Sequence, residues 1–313
     1  MRPSTPARTG FDAGQLQHVL PEVSLTAFNV AATRAAETTR PDRLFADAYA
    51  AGFLAAAGTT GWAEPSSEQR RRRGLVDWIT VRTRFLDDLL LEACMRGTRQ
   101  VVILGAGLDA RAFRLNWPDG LRLFELDMGG VLDFKQSVIQ AEGWRPACIR
   151  AVVPVDLSED WGPPLREAGL DEAAPVAFVA EGLLAYLSQE ASDALVARAA
   201  AMSPSGSRFG LTLASSRRLK AWREAHLDAS GGASDYVALW RSANAERAVA
   251  WLARFGWQAK VFDVGERSAS YGRPLERQAA HVAPGAVQQA QGDEAAGGGP
   301  REHGARLVDA EHL

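Results

Sequence analysis

The sequence of 313 residues contains only two cysteines, Cys94 and Cys148. Two cysteines are too few for a disulfide framework or a cysteine-rich zinc site, so we expect two reduced thiols and no metal centre. No run of about 18 apolar residues occurs, which excludes a typical membrane span. Residues 1–20 also lack the apolar segment of a secretory signal. These absences predict a cytoplasmic protein with no membrane partner.

The sequence also lacks a strong excess of either positive or negative charge. With 35 basic and 38 acidic residues the formal net charge is −3, so bulk charge gives no reason to expect a nucleic-acid partner. A local basic run at residues 70–73 is expected to be a solvated helix face rather than an anion contact. No internal repeat is visible.

What the sequence does contain predicts a single α/β domain over residues 21–313, although the length permits two. Residues 21–98 are rich in alanine and leucine and predict a helical cap, with one helix before Pro41, a second from near Arg43 and a third over residues 75–95. Residues 99–313 predict the α/β core. Residues 1–20 are expected to be a flexible arm and residues 276–303 a flexible loop.

Short apolar runs alternate with helix-compatible segments in the predicted core. The first run, residues 101–104, ends in Gly105-Ala106-Gly107 and is followed by a helix-compatible stretch over residues 109–115. Further strands are predicted at residues 121–126, 149–155, 176–180, 209–213 and 258–264, with a last short one possible at 305–309. This alternation predicts a doubly wound, parallel sheet with right-handed crossovers.

Three successive predicted strands end in a carboxylate: Asp127, Asp156 and Glu181. Ligands of open α/β sheets bind at the carboxyl ends of the strands, so these acids should surround one crevice beside the glycine turn. Asp127 lies 22 residues after Gly105, a spacing suited to a carboxylate that accepts hydrogen bonds from ribose hydroxyls. Asp156 can accept from an adenine amine while the backbone of Leu157 meets the ring, and Glu181 can lie near a cationic centre. Singly, each acid is more often a cap or loop residue; together they favour a nucleotide-like ligand.

The same glycine turn also fits the G-x-G-x-x-G/A fingerprint of NAD enzymes. Asp109 stands inside the turn, and its negative charge is expected to repel a pyrophosphate. A cationic ligand without a phosphate suits an acidic turn better, which favours S-adenosylmethionine. An NAD-dependent oxidoreductase remains the alternative.

Several segments carry a family resemblance through their order and spacing: VVILGAGLDARAFRL, FELDMGGVLDFKQ, VPVDLSEDW and AEGLLAYL. With further matching segments, over roughly residues 24–275, the chain resembles the leucine carboxyl methyltransferase-like family of S-adenosylmethionine-dependent methyltransferases. It is most similar to the bacterial branch, which acts on small molecules. The resemblance implies a seven-stranded, Rossmann-like class I methyltransferase sheet with an antiparallel last strand and an N-terminal helical cap.

The resemblance also implies cofactor-binding roles for particular residues. A guanidinium fork suits a carboxylate, so Arg82 would clamp the methionyl carboxylate of S-adenosylmethionine. The remaining implied contacts are Gly105 and Gly107 under the methionine part, Asp127 at the ribose, Asp156 and Leu157 at the adenine, and Glu181 near the amino group or sulfonium. Ala110 departs from the family pattern, which often has Thr or Ser there.

We expect O-methylation of a small molecule, with a carboxylate acceptor favoured over a hydroxyl. A carboxylate needs no general base, and neither a histidine nor a lysine occupies a motif position where a base is expected. We therefore assign no catalytic residue. The segment 215–245, which would shape the pocket, carries no motif that identifies a substrate. A non-catalytic methyltransferase-like binding module is a further alternative, although the intact glycines and Asp127 favour an enzyme.

Overall fold

The apolar runs of the sequence pair into one seven-stranded sheet in the order β3-β2-β1-β4-β5-β7-β6. The structure, a computed structural model, describes residues 22–58, 68–215, 241, 245–275 and 305–313. The strands are, in chain order, β1 (Gln100–Leu104), β2 (Arg122–Asp127), β3 (Ile149–Pro154), β4 (Val176–Ala180), β5 (Arg208–Leu213), β6 (Trp257–Asp263) and β7 (Arg306–His312). The predicted arm at residues 1–20 and the predicted loop at 276–303 lie outside the described residues.

Strands β1 to β5 are parallel, whereas β7 runs antiparallel to both of its neighbours, β5 and β6. Every residue of β1, β4 and β5 is buried, as expected for central strands covered by helices on both faces. The order and the antiparallel last strand confirm the sheet that the family resemblance implies.

Helices precede β1, occupy the connections between the parallel strands as the alternating pattern predicts, and flank β6. They are α1 (Glu22–Thr38), α2 (Ala50–Ala56), α3 (Glu68–Met95), α4 (Arg111–Arg114), α5 (Gly129–Glu142), α6 (Gly162–Glu167), α7 (Gln189–Ala201), α8 (Ala248–Ala253) and α9 (Val264–Ser270), with 3₁₀ turns at Leu184–Tyr186 and Ala245–Arg247. Within the described ranges, the helices lack the combination of length and apolar composition that crossing a membrane requires.

Two apolar clusters cover the two faces of the sheet. One cluster joins the N-terminal helices and α5 to β1 and β2. Of the N-terminal helices, α3 packs on β4, β5 and β7, and α1 packs on α2 and α3. The other joins α6, α7 and α8 to the opposite face. The carboxyl ends of β1, β2, β3 and β4 remain at one edge between these layers.

The predicted start of the second helix near Arg43 is wrong, because α2 begins at Ala50. The preceding segment is held by side chains that bind its backbone instead. The Leu44 amide donates to Glu37 Oε1 at 2.7 Å, and the Asp47 amide donates to Thr38 Oγ1 at 2.7 Å. These bonds replace the i to i−4 bonds that a helix would need.

The predicted helix after the glycine turn is also shorter than expected. Residues 109–115 were predicted to be helix-compatible, but α4 is a single turn, Arg111–Arg114. Asp109 instead accepts a hydrogen bond from the Arg111 amide at 2.7 Å, which caps the chain just before this turn. A turn this short contributes little of the helix dipole that a longer helix would direct at a ligand.

Candidate functional site

The glycine turn after β1 is tied to the end of β2 through Asp127. Gly105 and Gly107 adopt positive φ angles of 69° and 46°, a backbone region that favours glycine. The Gly107 amide donates to Asp127 Oδ2 at 2.6 Å, and the Met128 amide donates to Oδ1 at 2.7 Å. The structure therefore brings three predicted residues together at the carboxyl edge of the sheet.

Protein side chains lie close to both glycines of the turn. A Cβ atom at Gly105 would lie 3.2 Å from Leu183, and one at Gly107 would lie 3.2 Å from Ala27 of α1. Small residues at these positions thus let α1 and the segment after β4 approach the turn. The expected packing of the glycines under a ligand stays a prediction.

Asp127 is partly buried, and burial raises the pKa of its carboxyl above the usual value. The two backbone amides act in the opposite direction, because they donate to the ionised form. Each carboxylate oxygen accepts one amide and retains a further lone pair. Asp127 can therefore accept two more hydrogen bonds from a diol.

Asp156 and Leu157 follow β3 at the same edge. Asp156 is exposed, and its Oδ1 accepts hydrogen bonds from the Ser158 amide at 2.8 Å and the Ser158 hydroxyl at 2.7 Å. These bonds lower the pKa of the Asp156 carboxyl. Among the described residues Oδ2 has no hydrogen-bond donor, and the Leu157 side chain is buried. Asp156 thus shapes its own turn and keeps one oxygen available.

Glu181, after β4, is surrounded by three arginines. Arg34 Nη2 lies 3.0 Å from both carboxylate oxygens, Arg82 Nε lies 3.0 Å from Oε1, and Arg111 Nη1 lies 2.7 Å from Oε2. All four side chains are at most 8% exposed. Although burial opposes ionisation, the guanidinium groups hold the pKa of Glu181 well below its usual value. The carboxylate is therefore engaged by cations of the protein itself.

The expected acidity of the glycine turn is not what the structure shows. Asp109 is buried and pairs with the Arg111 guanidinium, and Arg34 lies 3.8 Å away. Arg34, Arg82 and Arg111 carry three positive charges, and Asp87, Asp109 and Glu181 balance them with three negative charges. Asp109 therefore does not give the turn the negative charge expected to repel a pyrophosphate, because Arg111 and Arg34 neutralise its carboxylate.

Arg82 can offer its terminal nitrogens to a ligand, as far as the described residues show. Among the described residues its hydrogen bond goes from Nε to Glu181, and neither Nη1 nor Nη2 donates to another protein group. The guanidinium lies against Gly182, where a Cβ would be only 2.9 Å from Nη1. The Gly182 amide donates to Thr212 Oγ1 at 2.7 Å, which holds this segment in place. The arrangement presents a positively charged fork that Glu181 orients.

Sequence reasoning missed four residues of this cluster: Arg34, Arg111, Gly182 and Thr212. Arg34 is a charged residue in an alanine-rich helix, and Arg111 follows Asp109 by two positions. Buried charges are uncommon unless they are paired, so an arginine in an otherwise small, apolar helix face was the available signal.

Comparison with known proteins identifies the family. The sequence model described as Leucine carboxyl methyltransferase matches residues 27–200, more than half of the chain. The chain belongs to the leucine carboxyl methyltransferase family. A family relative from Streptomyces avermitilis is 45% identical over 254 residues, which cover 80% of this chain and 88% of the relative. One from Frankia alni is 46% identical over 255 residues, covering 80% and 87%.

Both of these relatives are named as candidate S-adenosyl-L-methionine-dependent methyltransferases. A third candidate of that name, from Saccharopolyspora erythraea, is 38% identical over 288 residues, covering 90% of this chain and 99% of the relative. The predicted family is therefore confirmed. Family membership, and not the charge of Asp109, weighs against the NAD alternative. Within the described part of the chain, no cluster of three or more His, Cys, Asp or Glu side chains is placed to hold a metal ion.

Proposed function

We propose that this protein transfers the methyl group of S-adenosylmethionine to an oxygen atom of a small molecule, with a carboxylate as the favoured acceptor. The observation that carries the proposal is Asp127, fixed by the Gly107 amide at the end of β2 with both oxygens able to accept further hydrogen bonds. Such a carboxylate beside a glycine turn suits a ribose diol. The family of the chain supplies the reaction class.

The residues present fit this cofactor at its other groups as well. The terminal nitrogens of Arg82, which donate to no group among the described residues, suit the methionyl carboxylate. Asp156 Oδ2 can accept from the adenine amine, with Leu157 beside the ring. Gly105 and Gly107 add no side chain of their own to the turn. In this proposal Glu181 acts first by orienting Arg82, and its predicted place near the amino group or sulfonium remains a prediction.

When bound, S-adenosylmethionine supplies a methyl group that is already activated by its sulfonium. The protein therefore has to align the acceptor and exclude water, and alignment of that kind contributes roughly 7–11 kcal/mol in favourable cases. Arg82 orients the cofactor by its carboxylate, and the buried ion network behind Arg82 keeps that side of the site dry. Asp127 fixes the ribose and with it the direction of the transferred group.

The proposed carboxylate acceptor agrees with the placement of the histidine that the structure describes. His312 lies on β7 against Trp257, with ring centroids 4.9 Å apart, at the amino end of β6. It is thus at the opposite edge of the sheet from Asp127. The other histidines, including His226, lie outside the described residues, as does most of the predicted pocket segment 215–245. A carboxylate acceptor is already ionised at neutral pH, since such groups have pKa values near 4.

Calorimetry with S-adenosylhomocysteine and NAD side by side tests the cofactor. We expect S-adenosylhomocysteine to bind and NAD to give no heat of binding. The matched variant Asp127→Asn should bind S-adenosylhomocysteine more weakly than the wild type does. Binding of NAD without a response to S-adenosylhomocysteine would overturn the assignment.

The acceptor is tested on the methylated product. Mild alkali hydrolyses a methyl ester and leaves a methyl ether intact, and the rate with a carboxylate acceptor should stay flat from about pH 6 to 8. A base-stable product with a rate that rises steeply with pH would replace the carboxylate by a hydroxyl. We further propose a small-molecule partner, no nucleic-acid partner and a cytoplasmic location, on the net charge of −3 and the missing apolar segments.

A further inference from the structure

A second cluster of buried charges lies beneath Asp127, on the cap side of the sheet. Glu125 of β2 and Lys135 of α5 are both fully buried, and Lys135 Nζ lies 2.8 Å from Glu125 Oε2. Arg150 of β3 reaches the same oxygen through Nη2, also at 2.8 Å. Glu125 Oε1 accepts no hydrogen bond from the described residues. Burying three charges is costly unless they are balanced, so their arrangement calls for a functional reason.

Asp127 is a further ionisable group on the same side of β2. Lys135 and Arg150 carry two positive charges, and Glu125 supplies only one negative charge. Glu125 and Asp127 are alternate residues of β2, so both side chains project from the same face of the strand. The set becomes neutral when Asp127 is a carboxylate and carries an excess positive charge when Asp127 is protonated.

The groups that face Asp127 come from each neighbouring element. On its own strand Glu125 raises the pKa of the Asp127 carboxyl, and from α5 Lys135 lowers it. From the glycine turn comes the Gly107 amide, and β3 contributes Arg150, which acts through Glu125. Asp133 on α5 and Asp156 beyond β3 are exposed to solvent.

We propose that Lys135, balanced by Glu125, is a positioning residue that holds Asp127 as the charged acceptor of the ribose hydroxyls. The part of this proposal that concerns the cofactor rests on the proposed function. Lys135 is one of three lysines among 35 basic residues, with Lys220 and Lys260. Its compact ammonium group on an apolar stem occupies a fully enclosed space in which a planar guanidinium would need more room.

Two single variants of one ion pair separate this role from a structural one. Lys135→Met removes a positive charge near Asp127, so the pH midpoint of Asp127 ionisation should move up. Glu125→Gln removes a negative charge, so the midpoint should move down. The double variant Lys135→Met/Glu125→Gln should lie between them. A purely structural pair would lose stability in both single variants without moving the midpoint in opposite directions.

The midpoint can be measured on the intact protein without ligand, by the ¹³C shift of labelled aspartate carboxyls, with Asp127→Asn identifying the signal. In parallel, S-adenosylhomocysteine affinity should fall with the ionised fraction below each midpoint, down to the affinity of Asp127→Asn. Unmoved midpoints, or shifts in the same direction, would overturn the proposal. If Lys135→Met does not fold, the Asp127 midpoints of the wild type, Glu125→Gln and the double variant still test the proposal. The midpoint of Glu125→Gln should lie below the other two. Failure of the wild type to bind S-adenosylhomocysteine would refute the proposed function, and the carboxyl titration would still decide the role of Lys135.

Discussion

Glu181→Gln is the change that tests the arginine cluster most directly. The glutamine keeps the shape of the side chain but removes the charge that faces Arg34, Arg82 and Arg111, all within 3.0 Å. Removing one partner of a buried ion pair costs about 3–5 kcal/mol, because the remaining charges stay buried without compensation. We expect the free energy of unfolding to fall by about that amount and Tm by on the order of 10 °C.

Urea unfolding followed by tryptophan fluorescence measures this loss, and an exposed ion pair offers the matched control. Glu172 lies 2.9 Å from Arg166, and these side chains are 39% and 50% exposed. Because solvent screens this pair, Glu172→Gln should change the free energy of unfolding by less than about 1 kcal/mol. Equal stability of Glu181→Gln and the wild type at pH 7 would refute the reasoning.

The pH dependence of the loss follows from the direction of the pKa shift. The pKa of Glu181 is lowered in the folded state, well below its usual value of 4.5. Its stabilisation is therefore complete above about pH 4.5 and is lost as the pH falls toward the folded-state pKa. The stability difference between the wild type and Glu181→Gln should be constant from about pH 6 to 8 and should shrink only in more acidic solution.

Three further outcomes are expected. Asp127→Asn should weaken S-adenosylhomocysteine binding by about 1.5–3 kcal/mol in calorimetry, the scale of hydrogen bonds to a charged group, and unchanged affinity would reduce Asp127 to a loop residue. Gly182→Ala should lower Tm more than Gly120→Ala. Both glycines have similar positive φ values, but only a Cβ at Gly182 would meet a guanidinium nitrogen, at 2.9 Å. Equal losses of stability, each about 1–2 kcal/mol, would show that backbone strain alone is responsible. Burial raises the pKa of Cys94 to about 11 and that of Cys148 to about 12, so mass spectrometry should find both thiols unalkylated by iodoacetamide at about pH 8 until the protein is unfolded.

Most strands of the fold could be predicted from local patterns of apolar residues in the sequence. The strand at residues 176–180 was predicted at its observed bounds, and the last strand was found from the weak pattern at 305–309, although it extends to His312. These segments are apolar and short, so burial and length agree on one assignment. The predicted start of the second helix was wrong because nothing in the pattern of residues 43–49 reveals that Glu37 and Thr38 bind the backbone of this segment.

The candidate site was predictable in position but not in its charge. Strand ends placed Asp127, Asp156 and Glu181 at one edge, because parallel strands share a direction. The partners of Glu181 could not be read in the same way, since Arg34 is separated from it by 147 positions. The charge of the turn does not follow from Asp109 alone, because Arg111, two positions later, pairs with it in the fold.

The place of β7 in the sheet has a consequence for folding during synthesis. Strands β1 to β5 can pair with one another as soon as residue 213 has emerged, because each finds a neighbour already made. β6 has no such neighbour, since its ladder is formed with β7, where Trp257 pairs with His312. A growing chain thus exposes the edges of β5 and β6 until residues 306–312 enter between them, and unpaired edges favour aggregation. Shortening the chain to residue 305 should therefore reduce soluble yield far more than the loss of eight residues from a surface strand would.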